Sequence, residues 1–174
     1  RSSPVQVGSL TDWKSTCMTQ KAMCAVKTDG TLWGWGKGDT TDPQCSGQTG
    51  NVSSPVQIGS ATDWSGVLSV NAKVSLSVLG LRTTGQVYMW GSSADPYWTQ
   101  TQFTGTYSVL PVAIDDKNYV MAGCGHENVW AVDNTGKLWA WGQNHSGPLG
   151  TGNETDLSSP VQIGSATDWG SWTS

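Results

Sequence analysis

Acids, histidines, cysteines and clustered aromatics are the residues of this chain that could do chemistry. A catalytic residue is needed once per site, whereas a structural residue recurs wherever its phrase recurs. Asp39, Asp42, Asp95, Asp115, Asp116, Glu127 and Glu154 lie outside the repeated phrases, and none has a partner at the spacing of a paired general acid and base. Asp39 and Asp42 offer calcium-type oxygens, but no full loop motif surrounds them. His126 and His145 are the only histidines, and no Gly-x-Ser-x-Gly elbow, phosphate loop or dinucleotide fingerprint accompanies them. The expectation is a protein that is not an enzyme and carries neither cofactor nor metal.

Four cysteines, Cys17, Cys24, Cys45 and Cys124, admit three pairings if all are bridged. None stands at zinc-ligand spacing. Cys17 and Cys24 read as positions on one strand, on opposite faces if that strand is regular. Buried thiols and a bridge both stay open.

The aromatic set is lopsided, with 11 Trp, 4 Tyr and a single Phe. Tyr97, Trp98, Phe103 and Tyr107 crowd one stretch, SSADPYWTQTQFTGTYS. They read either as rings covering a sheet edge or as a platform that stacks on a sugar or a protein partner. The net charge of −4, with nine scattered Lys and Arg, argues against a nucleic-acid surface. No basic amphipathic stretch supports membrane binding.

The elements that position these residues are hairpins. AVKTDGTLWGWG, from Ala25 to Gly36, returns as AVDNTGKLWAWG, from Ala131 to Gly142, and more loosely as GLRTTGQVYMWG, from Gly80 to Gly91. Asp29-Gly30 is expected to supply the positive-φ residues of a tight turn. Trp33 and Trp35 then share one face and Leu32 and Gly34 the other, as do Trp139/Trp141 and Leu138/Ala140. A strand apolar on both faces suits a sheet packed between two neighbouring sheets. Trp35, Trp90 and Trp141 are expected to be buried there, and Gly36, Gly91 and Gly142 to turn the chain out of the strand.

More than the hairpin repeats. SSPVQVG with TDW, from Ser2 to Trp13, returns as SSPVQIGSATDW from Ser53 and from Ser158, with a degenerate copy around Pro111. Asp12, Asp63 and Asp168 recur with it and read as turn residues that cap backbone amides. Pro4, Pro55, Pro111 and Pro160 follow one another at roughly fifty residues, room for four short strands and their turns. Such a unit is one four-stranded antiparallel blade of an all-β propeller. The chain divides into 4–54, 55–110, 111–159 and the start of a fourth unit, 160–174: about three blades of an incomplete ring.

The third unit, AGCGHENVWAVDNTGKLWAWGQNHSGPLGTGN, resembles the regulator-of-chromosome-condensation repeat. Gly123 to His126 match that family's Gly-x-x-His strand. Asn144, Gly147, Leu149 and Gly150 match its Asn-x-x-Gly-Gln-Leu-Gly element, with Pro148 where Gln is usual. The resemblance implies a hydrogen-bonded structural role for His126. The first unit has Gln20 in the His place, and the second keeps only the hairpin and its flanks. Openers of the SSPVQIG type look like those of bacterial and phage members. The family's founder is a guanine nucleotide exchange factor that binds chromatin, but no basic tail is seen here.

The function expected is therefore a non-enzymatic scaffold or binding module of a virion, secreted or cell-surface protein. Its partners are further repeats of the same or another chain, and protein or glycan, not nucleic acid or membrane. A lectin is the alternative, and an exchange factor ranks below it. Because the two ends duplicate one opener, and the chain starts at Arg1, a segment of a longer repeat chain is expected.

Overall fold

A computed structural model describes residues 3–19, 21–38, 50–71, 76–92, 107–125 and 127–170, and these form twelve strands in three four-stranded antiparallel sheets. The side chains of 69–71, 76, 92, 107 and 109 are outside that description. The first sheet joins β1 (Trp13–Met18), β2 (Ala22–Lys27), β3 (Leu32–Gly36) and β4 (Val52–Gln57). The second joins β5 (Trp64–Asn71), β6 (Leu76–Arg82), β7 (Val87–Ser92) and β8 (Tyr107–Ala113). The third joins β9 (Tyr119–Cys124), β10 (Asn128–Asp133), β11 (Leu138–Gly142) and β12 (Leu157–Gln162). Strand order follows chain order in each, no helix occurs among the described residues, and the sheets do not close a ring.

The Pro-led strand closes each sheet; it does not open one. β4, β8 and β12 are edge strands paired with the hairpin before them. Pro55 and Pro160 lie not at the first residue of the strand but in an irregularity of the ladder. Gly34 pairs with Val56 and Gly36 with Val52, so Ser53, Ser54 and Pro55 bow out opposite Trp35. Ser158, Ser159 and Pro160 do the same opposite Trp141. An outer-strand bulge spares proline the ladder bond it cannot donate.

The hairpin turn also differs from a two-residue tight turn. Lys27 N donates to Thr31 O and Gly30 N to Lys27 O, each at 3.0 Å. Of Asp29 and Gly30 only the glycine has positive φ, at 79°. This is a type I turn followed by a left-handed glycine. Asp29 Oδ1 accepts from Thr31 N at 2.9 Å and Thr31 Oγ1 at 2.6 Å, the role of a turn former.

Two cores lie between the sheets. Cys17, Cys24, Val26, Leu32 and Ile58 of the first sheet and its edge meet Trp64, Val67, Val78 and Trp90 of the second. Leu79, Val87, Met89 and Ile114 on the second sheet's other face meet Tyr119, Val129, Ala131 and Trp141. The middle sheet is thus apolar on both faces, as the interleaved pattern requires.

Cys17 and Cys24 correct the sequence reading. A turn separates them, so they stand opposite each other on β1 and β2 and share one face. Cys17, Cys24 and Cys124 are thiols, and Cys45 lies outside the described residues.

Candidate functional site

Each blade is locked to the next through its turn glycine. Gly30 O accepts from Trp64 N at 3.0 Å, Gly85 O from Tyr119 N at 2.8 Å, and Gly136 O from Trp169 N at 3.0 Å. A Cβ at Gly30 would overlap the Thr62 carbonyl, and one at Gly136 the Thr167 carbonyl. The glycine is required by close approach as well as by φ. Within each blade Asp12 O and Asp63 O accept from Thr28 N and Thr83 N, at 2.9 and 2.7 Å. The holding atoms are backbone carbonyls, while the carboxylates make ion pairs. Asp63 meets Arg82 at 3.0 Å and Asp12 meets Lys27 at 3.6 Å.

Those cations lie on aromatic rings. Lys27 Nζ is 4.2 Å from the Trp33 centroid and 5.4 Å from Trp13, and Arg82 is 4.8 Å from both Trp64 and Tyr88. In the third blade an acid, Asp133, takes that strand position, and Lys117 reaches Trp139 from the preceding loop at 4.6 Å. Burial raises the Asp133 pKa, but hydrogen bonds from Thr135, Trp139 and Lys137 outweigh it and bring the carboxyl down to about 2. Tyr119, buried and donating to Asp115 Oδ2 at 2.8 Å, has its phenol pushed far above the usual range. These are stacking and anchoring arrangements that hold the turn end of each blade rigid.

The repeated tryptophans divide. Trp90 and Trp141 are 0% and 1% exposed, each filling the face of the preceding sheet. Trp35 is only half-buried, against expectation, because no sheet lies before the first one among the described residues. It touches Trp13, with ring centroids 5.8 Å apart. Gly36, Gly91 and Gly142 have φ of 110°, 117° and 105°, as a turn out of the strand requires.

At the other end the third sheet presents the corresponding face unfilled. A hollow of about 580 Å³ is lined by Met121, Trp130, Val132, Leu138, Leu149 and Trp169, with further small residues. Val132 and Leu138 match Val26 and Leu32, which in the first sheet lie against the second blade's tryptophans. Trp130 and Trp169 are 38% and 46% exposed. The loop after β11 shapes one rim. Asn144, fully buried, donates to Thr151 Oγ1 and Asn153 O and accepts from Leu149 N at 3.0 Å, seating Leu149 in the hollow. His145 Nδ1 lies 3.3 Å from Asp156 Oδ1 beside it.

Of the residues named from the sequence, Tyr97, Trp98, Phe103 and His126 lie outside the described residues, as does the Tyr107 side chain. Asp115 serves Lys117 and Tyr119, and Glu127 O accepts from Gln143 N. No group of three or more His, Cys, Asp or Glu that could hold a metal ion occurs among the described residues. Sequence reasoning missed the cation stacks and the hollow. The recurrence of a basic residue just before the first two turns, at Lys27 and Arg82, is the available signal for the stacks.

Fold and site together define an open run of propeller blades with one apolar face exposed at its end. The regulator of chromosome condensation (RCC1) repeat model matches residues 135–171, which include the third turn, β11, β12 and the docked opener. Residues 135–171 thus form an RCC1-type repeat, and the chain around them is similar to RCC1-type repeat proteins. It is 32% identical over 99 residues to Protein RCC2 of Mus musculus, covering 54% of this chain and 18% of that one. It is 28% identical over 150 residues to the ultraviolet-B receptor UVR8 of Arabidopsis thaliana, covering 80% and 31%. The solved structure of Prp20p from Saccharomyces cerevisiae superposes with a TM-score of 0.66 at 17% identity, covering 90% and 39%, and shares the fold. The chain spans less than a third of the length of these two relatives.

Proposed function

We propose that the chain is a non-enzymatic propeller module that binds or scaffolds protein. Its docking face is the hollow of the third sheet, and the occupant is the tryptophan-bearing face of another RCC1-type blade, in the same or another chain. The observation that carries this is the internal template. The same face is filled twice within the molecule, by Trp90 against the first sheet and by Trp141 against the second. Prp20p is described as binding Gsp1p and histones, which makes protein the class of partner favoured by analogy. A virion, secreted or cell-surface location belongs to this reading and rests only on the SSPVQIG openers. The lectin alternative rests on Tyr97, Trp98, Phe103 and Tyr107. A glycan array with a reproducible hit lost on Trp98→Ala would favour it.

Trp169 stands in the repeat where Trp64 stands, so residues 65–113 can be joined behind it in register. The extended chain should show Trp130 and Trp169 protected from oxidative footprinting and a higher Tm than the parent. A folded extension in which both rings stay reactive would overturn the docking proposal.

A further inference from the structure

Cys17 and Cys24 are opposed in register on β1 and β2, and both side chains belong to the core between the first two sheets. Directly opposed residues on antiparallel strands have Cα atoms roughly 4.5–5.5 Å apart. That lies inside the roughly 4.4–6.8 Å a disulfide spans. The fold does not demand sulfur at this place. The second sheet puts Leu68 opposite Leu79 at the same register, and the third puts Gly123 opposite Trp130. Cys124 pairs in register with Val129 and has no cysteine across from it. Burial, and then the charge of Cys17, push the Cys124 thiol pKa up, which keeps it protonated and a poor competitor.

We propose that Cys17 and Cys24 form a redox modification site, a cross-strand dithiol that a peroxide closes to a disulfide within the first blade. Cys17, 9% exposed against 1% for Cys24, meets the oxidant first. Its thiolate sulfur attacks one peroxide oxygen and the O–O bond breaks. Cys17 becomes a sulfenic acid, and the departing hydroxide takes a proton to leave as water. The Cys24 sulfur then attacks the Cys17 sulfur, the S–O bond breaks, and hydroxide leaves with the Cys24 proton as a second water. Two thiols lose two electrons and one peroxide is reduced to two waters. Both sulfurs belong to the core that Trp64 and Trp90 complete, so drawing them together alters the packing of the first junction and leaves the second untouched.

Hydrogen peroxide itself is the probe, applied to the intact wild-type chain, followed by alkylation, trypsin and mass spectrometry. Lys21 separates the two cysteines, so a bridge joins peptides 15–21 and 22–27, lighter by about 2 Da than the sum of the reduced peptides. The expected result is that linked pair, reversed by dithiothreitol, and equally present in a Cys45→Ser, Cys124→Ser chain. Tryptophan fluorescence should fall as the bridge forms. Alkylation of both thiols after peroxide, arrest at sulfinic acid, or a Cys17 link to Cys45 or Cys124 in the wild type would overturn it.

Discussion

The two junctions between blades share their main parts and differ at the place of Ser15 on the first strand of each sheet. At the first junction Ser15 Oγ lies 3.3 Å from Val67 O and 3.2 Å from Val67 N, stitching β1 to β5. At the second junction the place of Ser15 is taken by Gly66, which has no side chain to reach β9. A cleft of about 190 Å³ runs beside both junctions, lined by Ser15 and Val67 of the first stitch as well as Gly66, Leu79, Leu81 and Ala122. The tryptophan plug and the turn-glycine bond are common to both junctions. Blade packing is therefore carried by the outer apolar plug, and the inner stitch is an addition that one junction lacks.

The sharpest way to break this comparison is to remove the plugs. Trp90→Ala and Trp141→Ala should each cost about 3–5 kcal/mol in denaturant unfolding, with Trp35→Ala well below either. Equal losses at all three positions would mean that the plug does not act through the facing sheet. Next comes the shared lock. Gly30→Ala combines a positive φ with overlap on the Thr62 carbonyl and should cost about 3 kcal/mol or more. Gly59→Ala, with positive φ and open space around it, should cost about 1–2 kcal/mol.

Acid separates the outer blades. Trp33 Nε1 donates to the neutral Thr31 Oγ1, whereas Trp139 Nε1 donates to the charged Asp133. Because the Asp133 pKa is lowered in the fold, its contribution is whole above the ordinary aspartate value and is lost as pH falls from about 4 through about 2. Hydrogen exchange should show the Lys137 amide losing protection over that window, and Asp133→Asn should flatten the dependence. The smallest change sharpens the contrast. Gly66→Ser, whose Cβ would meet only Ser15 at ordinary contact distance, should supply by analogy a stitch to Ala122 and stabilise by about 1 kcal/mol. An unchanged or lower midpoint would mean that no stitch forms at the second junction.

Much of this architecture is readable from the chain because repetition marks structure. The three hairpins, the paired Trp positions and the closing glycines follow from a two-residue period and a recurrent Gly. The placement of the Pro-led strand does not, because a linear repeat has no beginning, and only the β3–β4 ladder shows to which sheet that strand belongs. Cys17 and Cys24 were misread for a related reason. A turn between them leaves the same spacing as a continuous strand but reverses the geometry. The hollow of the third sheet could not be read at all, since Trp130 and Leu138 have the same residue types as core positions. Only packing shows which apolar face has a neighbour.

The bond from each turn glycine to the opener of the following unit bears on synthesis. On the ribosome, the carbonyl of Gly30 has no acceptor role to fill until Trp64 has emerged, and Gly85 must wait for Tyr119. All four strands of a blade are thus translated before its last lock can close. A pause placed between the Pro-led strand and the Asp-Trp pair that follows it would hold a nascent blade with its turn unlatched and its apolar face bare, the interval in which a chaperone would find it.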